Sequence, residues 1–199
     1  MKTTNSLFAT LSIFVLFFMT SCASTRVTGE WKDPNFETKK FKKIMVIGVA
    51  KQPAHRAAYE DEFVRQLKAA GVMAISSHTI IPHEKMLDKA TIVQNIKGAG
   101  IEGVIITRVR DVKEKVEYHR HNINMYDYYN DSFAVAPYFQ SSSPVYKQKY
   151  NFVSNLYDTK TEKLVFSLSS NTYAHDNINK RLNPYIKIVV NKLIYNNLL

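Results

Sequence analysis

The sequence has little cysteine: Cys22 is the only one in the chain. A disulfide within the chain is therefore excluded, and so are the paired cysteines of a structural zinc site. The Walker A and GxGxxG glycine loops, the GxSxG nucleophile turn and the HExxH zinc motif are absent from the sequence as well. These absences favour a protein that is not an enzyme and that carries no cofactor.

Acidic residues are also scarce relative to basic ones. The 199 residues include 27 Lys and Arg against 17 Asp and Glu, which gives a net charge of +10. A surface with this excess favours anionic partners. The length and the 45% of hydrophobic residues suit one globular domain with a single core.

No apolar run reaches the roughly 20 residues that a membrane-spanning helix needs. The apolar run at Leu7–Met19 has 13 residues, follows the basic Lys2, and ends in the sequence MTSC at Cys22. This arrangement resembles the signal peptide and lipobox of bacterial lipoprotein precursors. We therefore predict a signal peptide over residues 1–21; the alternative interpretation is a buried helix or an N-terminal anchor helix with Cys22 incidental.

The lipobox resemblance implies that Cys22 carries a thioether-linked diacylglycerol and an amide-linked acyl chain such as palmitate. Lipid chains at this cysteine would hold the protein stably on a membrane. Ala23, rather than an aspartate, follows the cysteine, which favours the outer membrane, and no acidic run follows it, which favours a periplasm-facing orientation. The outer leaflet of the inner membrane and the cell surface are the alternatives. Export also argues against nucleic acid as a partner.

Beyond a polar lipidated tether over residues 22–40, the pattern predicts a single α/β domain over residues 41–199. Buried strands are expected over 42–50, 72–81 and 103–109, with amphipathic helices over 57–70 and from Pro82 or Asp88 to Gly98. This alternation is typical of a parallel βαβαβ unit. A turn at residues 158–161 predicts an antiparallel hairpin, and Asn183-Pro184 predicts the start of a C-terminal helix. The expected fold is a mixed sheet with helices packed on it.

Three stretches carry a resemblance to a known group: WKDP at residues 31–34, the strand–helix region with Arg56 and Glu60, and LYDTKTEKLVF at residues 156–166. They are similar to a family of uncharacterised small bacterial lipoproteins. The order of elements also resembles the N-terminal domain of the translocation protein TolB and the lipoprotein activators of penicillin-binding proteins. The resemblance implies a fold and no catalytic residues.

Two groups of titratable residues could suggest chemistry. Glu60, Asp61 and Glu62 could act as acid–base carboxylates, but acidic residues early in a predicted helix also suit the helix dipole, which is the interpretation we favour. His119 and His121 share one side of a predicted strand, where zinc would need further converging ligands. We interpret the pair as a solvated strand face and predict no metal.

Four lysines close to the predicted anchor are candidates for contact with an anionic leaflet: Lys39, Lys40, Lys42 and Lys43. A solvated edge before a strand explains them equally well. The segment 122–143 is aromatic without a helical or strand period, and its candidate partner-binding residues are Tyr126, Tyr128, Tyr129, Phe133, Tyr138 and Phe139. The alternative is that these rings cover the domain as a packed loop.

Together these features predict a lipid-anchored, periplasm-facing protein that acts as a binding or scaffolding component of the cell envelope. Its expected partners are membrane lipid, through acylated Cys22, and an envelope protein. The alternative function is an enzyme that acts on cell-wall or lipid material. The sequence contains no indication of oligomeric state.

Overall fold

The computed structural model describes residues 25–37, 39–85, 88–110, 125, 149–173 and 178–199. The predicted signal peptide, Cys22 and all six aromatic candidates of segment 122–143 lie outside these residues. In chain order the elements are β1 (Thr25–Lys32), β2 (Lys43–Gly48), α1 (Pro53–Ala69), β3 (Met73–Ser76), α2 (Lys89–Gly98), β4 (Gly103–Arg110), β5 (Lys149–Asp158), β6 (Leu164–Tyr173) and α3 (Ile178–Tyr195).

The strands form one mixed sheet of six strands in the order β1-β6-β5-β4-β2-β3. Strand β2 pairs in parallel with both β3 and β4, as the predicted βαβαβ unit requires. Strand β4 then pairs antiparallel with β5, and β5 pairs antiparallel with β6. The predicted α/β fold class, with its hairpin and C-terminal helix, is confirmed.

Alternate residues of the central strands enter two separate cores, because successive side chains of a strand point to opposite faces of the sheet. Ile44 and Val46 of β2 face α1 and α3, where Phe63 and Tyr185 are buried. The opposite side chains of β2 belong to the second core, which α2 covers with Ile92 and Ile96. The helices therefore lie on both faces of the sheet.

The predicted tether over residues 22–40 is wrong where it includes β1. Thr25–Lys32 forms an edge strand that pairs antiparallel with β6, with a register shift between Val27 and Gly29. Its Glu30 binds Lys192 of α3 and Asn196 just after that helix, with the Lys192 Nζ atom 2.7 Å from Glu30 Oε2. The folded domain thus begins no later than Thr25.

Helix boundaries follow local capping chemistry in part. Asp88 caps α2 by accepting hydrogen bonds from the backbone N–H groups of Ala90 and Thr91, as one of the two predicted starts requires. Helix α1 begins at Pro53, one turn before the predicted start. Helix α3 begins at Ile178 and contains Pro184 in its interior, so the predicted start at Asn183 is wrong. Among the described helices, none is long and apolar enough to cross a membrane.

Candidate functional site

The carboxyl ends of β2 and β3 are closed by a buried ion pair from the first half of α1. The Arg56 Nε–H donates to Glu60 Oε1 at 3.0 Å, one helical turn away, and the two residues are 1% and 0% exposed. The remaining Arg56 donors bind the Ile81 carbonyl at 3.1 Å and the Ser77 hydroxyl at 2.8 Å. The guanidinium thereby ties α1 to the segment that follows β3.

The Glu60 carboxylate also accepts hydrogen bonds from several parts of the chain. Its Oε1 atom also accepts the Gly48 N–H at 2.9 Å and the Ser77 hydroxyl at 2.6 Å, and its Oε2 atom accepts the His78 N–H at 2.6 Å. In open α/β sheets ligands bind outside the carboxyl ends of neighbouring strands, at the point where the order of the strands in the sheet reverses. Here Glu60 cross-links those strand ends in the interior, so the network stabilises the fold and presents no carboxylate to a substrate.

The neighbouring carboxylates make their own local contacts. Asp61 Oδ1 accepts the Ser76 hydroxyl at 2.7 Å and lies 2.7 Å from His78 Nε2. Burial alone would raise the pKa of Asp61, but the hydrogen bonds from His78 and Ser76 outweigh it and hold the pKa below its usual value. Serine and histidine both bind the aspartate rather than each other, so the trio lacks the serine–histidine contact of a nucleophilic triad.

The helix-dipole interpretation of these acidic residues is wrong, because α1 begins at Pro53 and has no acidic residue in its first turn. Glu60 is a buried partner of Arg56, and Glu62 pairs on the surface with Arg65, whose Nη2 atom is 2.6 Å from Glu62 Oε1. The hydrogen bond from Arg65 is the main cause of a lowered pKa at Glu62. Position in the helix therefore does not explain the acidic cluster.

A chain of four hydroxyl groups crosses the core between α1, the sheet and α3. The Tyr59 hydroxyl donates to Thr107 Oγ1 at 2.6 Å, and the Thr107, Ser154 and Tyr185 hydroxyls continue the contacts. Burial raises the pKa of Tyr59 well above its ordinary value, so this phenol stays protonated. All four groups are enclosed in the core, where they satisfy one another.

An open cleft lies between α1 and α3, with a volume of about 680 Å³. Its apolar surface comes from Ala69 of α1, the following Ala70, and Val190 and Ile194 of α3. Its basic side chains are Arg65 and Lys187. Gln66 bridges the two helices by donating to the Asn183 carbonyl at 3.4 Å. The cleft residues include no carboxylate, histidine, serine or cysteine.

Two exposed apolar side chains lie near the end of α3, the first of them a cleft residue. Ile194 is 46% exposed, and the adjacent Tyr195 at the end of α3 is 80% exposed with Lys192 Nζ 5.6 Å from its ring centre. In the part of the chain that the structure describes, Met73 is the only other large hydrophobic residue with comparable exposure. Met73 lies on the edge strand β3, apart from the cleft. We call the cleft with Ile194 and Tyr195 the helix cleft.

The four candidate lysines lie where the chain crosses from β1 to β2, at the end of the sheet where β2 and β4 begin. Lys39 Nζ is 4.0 Å from Asp158 Oδ2 and 5.7 Å from the Phe41 ring centre. Lys40 and Lys42 are exposed, whereas Lys43 is half-buried at the start of β2. Thr25, the residue nearest the predicted lipid site, lies at the opposite end of the sheet, paired with Thr172.

The remaining sequence candidates fall largely outside the described residues. Cys22, His119 and His121 lie outside them, so the predicted lipidation and the absence of metal stay predictions. Within the described ranges, no three His, Cys, Asp or Glu side chains converge to hold a metal ion. Of segment 122–143 only Met125 is described, and it is buried in the second core.

The three motifs that resemble lipoproteins have structural roles. WKDP ends β1 and turns the chain, with Asp33 Oδ1 accepting the Asn35 N–H at 2.9 Å. Arg56 and Glu60 form the buried ion pair. In the β5–β6 turn, Asp158 Oδ1 accepts the Thr161 N–H at 2.8 Å. These motifs describe a fold, as expected.

No protein-family model and no curated protein matches this sequence. Among solved structures, the PelC dodecamer from Paraburkholderia phytofirmans, in a point variant, has a TM-score of 0.45 at 12% identity over 87% of this chain and 96% of that chain. A second crystal form gives 0.44 at 11% identity over the same shares. Lipoprotein GNA1162 from Neisseria meningitidis gives 0.42 at 12% identity over 77% and 96%. All three TM-scores are below 0.5, so nothing about this chain's function follows from the names of these proteins.

Proposed function

We propose that this protein is a lipid-anchored recognition module of the bacterial cell envelope, which faces the periplasm and binds a protein partner through the helix cleft. The observation that carries the proposal is the helix cleft itself: an open apolar groove with basic residues on its rim and an exposed tyrosine beside it. Aromatic and arginine side chains are enriched at the energetic centres of protein interfaces.

The chemistry of the described titratable groups favours recognition over catalysis. A catalytic carboxylate needs access to substrate, whereas Glu60 is completely buried and accepts four hydrogen bonds. Asp61 binds His78 and Glu62 binds Arg65, and neither carboxylate lines the helix cleft. The cleft residues include no carboxylate, histidine, serine or cysteine, and recognition is the simpler account of this surface.

The proposed anchor is compatible with the start of the fold. Strand β1 begins three residues after Cys22, so lipid on that cysteine would connect to the sheet almost directly. The +9 charge that remains after loss of Lys2, from 26 basic and 17 acidic residues, suits a surface with anionic lipid nearby. Attachment at the outer membrane remains part of the proposal, on the ground that alanine follows the cysteine.

Site-specific photo-crosslinking in intact cells tests the recognition surface. A photoreactive amino acid in place of Lys187, an exposed residue of the cleft, should give a discrete crosslinked product with one envelope protein. The same amino acid in place of Lys97, exposed on α2 across the sheet, is the matched control and should give none. Ile194→Asp should abolish the Lys187 product without altering the melting temperature. Equal products from both positions, or a product that survives Ile194→Asp, would contradict the proposal.

A further inference from the structure

The helix cleft presents side chains rather than open backbone to a partner. The Gln66 carbonyl accepts the Ala70 N–H at 3.1 Å, and the Ile194 carbonyl accepts the Asn197 N–H at 2.9 Å. The Asn183 carbonyl accepts a hydrogen bond from the Gln66 side chain at 3.4 Å. Both walls of the cleft are helices, and the sheet edges at β1 and β3 lie elsewhere in the fold. A partner is therefore recognised here through side chains.

This backbone pairing distinguishes two ways of binding a peptide segment. An extended segment gains affinity by adding its main-chain hydrogen bonds to an exposed sheet edge, and no strand lines the cleft. A helical segment satisfies its own backbone groups and needs only a groove for its apolar face. The cleft therefore suits a partner helix.

The dimensions of the cleft agree with a helix of about three turns. Its lining on α3 extends from Asn183 to Ile194, which is about 16 Å at the 1.5 Å rise per residue of an α-helix. On the opposite wall Ala69 and Ala70 are exposed and have no side chain beyond Cβ, so a third helix can approach closely. Ile194 is exposed on the α3 wall, where it can contact the apolar stripe of that helix.

The charge of the cleft determines which flank the partner helix needs. The Glu62 carboxylate, one helical turn before the cleft, is occupied, because Arg65 donates to its two oxygens at 2.6 and 2.7 Å. The Gln66 amide also donates to Glu62 Oε1, at 2.7 Å. Lys187 is exposed in the cleft, and no carboxylate of the described residues forms an ion pair with it. A carboxylate on the partner complements this remaining positive charge.

We infer that the helix cleft binds an amphipathic helix of an envelope protein, whose apolar stripe packs against Ile194 and whose acidic flank faces Lys187. The inference rests on the proposed function and names the element that the partner presents. A second copy of this chain, docked symmetrically through the same face, would bring basic cleft residues against one another, and like charges across an interface are costly. The occupant is therefore a different protein.

Photo-crosslinking from two positions measures the geometry of the bound segment. A photoreactive amino acid replaces either Asn183 or Asn191, both exposed in the cleft, in the full chain in intact cells. The two positions are about 12 Å apart along α3. A partner helix advances by about eight residues over this distance, whereas an extended segment advances by about four. Mass spectrometry should therefore place the two captured partner residues roughly seven to nine positions apart.

The acidic flank is tested with the photoreactive amino acid at position 191. Lys187→Glu should lower the yield of the crosslinked product severalfold, because it places a carboxylate against the acidic flank. Lys187→Arg preserves the charge at the same exposed position and should retain the product. Both variants should melt at the temperature of the parent. An undiminished product with Lys187→Glu, or an equal loss with Lys187→Arg, would overturn the acidic flank.

The remaining outcomes separate this inference from the proposed function. Captured residues roughly three to five positions apart would show an extended segment, and would overturn the helix while leaving partner binding intact. A captured segment of this chain itself would show a second copy in the cleft, and would overturn the inference too. If neither position gives a product in a normally folded protein, the proposed function itself is contradicted.

Discussion

Arg56 and Glu60 form an ion pair across one turn of α1 in the interior of the protein, with Nε 3.0 Å from Oε1 and neither side chain accessible to solvent. Removing one partner of a buried pair leaves the other charge without compensation, at a cost of about 3–5 kcal/mol. We therefore expect Glu60→Ala and Arg56→Ala each to lower the free energy of unfolding by about that amount. Urea denaturation followed by circular dichroism measures the change.

The exposed pair of the same helix is the control for this prediction. Arg65→Ala removes the Arg65–Glu62 contact on the surface and should leave the denaturation midpoint nearly unchanged. An apolar replacement of both buried partners, Arg56→Met with Glu60→Leu, should cost less than the two alanine changes added together. If single removal of Glu60 is as mild as removal of Arg65, the network does not stabilise the fold as described.

Gly48 lies where α1 crosses the end of β2, and a side chain there would meet the core. A Cβ atom at Gly48 would come 2.8 Å from Cδ1 of Tyr59, whose ring is buried and whose hydroxyl is held by Thr107. We expect Gly48→Ala to destabilise the protein by about 1–3 kcal/mol through overpacking. Gly98→Ala is the matched control, since nothing beyond its own helical turn lies within 4 Å of its Cβ position. A Gly98 variant as unstable as the Gly48 variant would argue against the described packing.

Acid should weaken the attachment of β1 to α3 through Glu30. Burial acts to raise the pKa of Glu30, but the hydrogen bonds from Lys192 and Asn196 outweigh it and lower the pKa. A carboxyl with a lowered pKa in the folded state stabilises the protein above its unfolded pKa of about 4.3 and loses that contribution as the pH falls through the folded pKa. Glu30→Gln should therefore reduce the loss of stability on acidification.

Urea denaturation at a series of pH values from neutral to acidic measures this dependence for both proteins. The comparison variant is Glu37→Gln, which makes the same chemical change at an exposed position. It should retain the pH dependence of the parent. The prediction for Glu30 is wrong if its variant loses stability on acidification as steeply as the parent does.

The aromatic segment stays a candidate partner surface from the sequence alone. Replacement of Tyr126 to Phe139 by a short Gly/Ser linker retains Met125, which belongs to the second core. We expect a nearly unchanged melting temperature together with loss of the crosslinked partner, because the rings then serve recognition. If the rings are buried instead, their removal would lower the free energy of unfolding by about 1.5–3 kcal/mol each. A strongly lowered melting temperature would therefore refute this role.

The βαβαβ unit and the hairpin were predictable because each has a local signal. Buried parallel strands have continuous apolar runs, Gly71 ends α1 with a positive φ of 83°, and Asp158 organises its own turn. Strand β1 had no such signal. It is an edge strand interrupted by a register shift at Gly29, and its partner β6 lies far along the chain. Pairing at that separation is set by tertiary structure.

The buried pair could not be predicted from the helix alone. Arg56 and Glu60, four residues apart, have the spacing of an ordinary exposed helix pair. Their partners Gly48, Ser77 and Ile81 come from the end of β2 and from the segment after β3, which only the folded structure brings to these side chains. The helix cleft was missed for the same reason, because it exists only where α1 and α3 meet.

The mass of the intact protein purified from membranes tests the central claim most directly. A lipid-anchored module predicts a chain that begins at Cys22 and carries the added mass of a diacylglyceryl group and an acyl chain. Cys22→Ala should show none of that added mass and should leave the detergent phase on phase partitioning. An unmodified mature chain, or a Cys22→Ala variant that partitions as the parent does, would contradict the account.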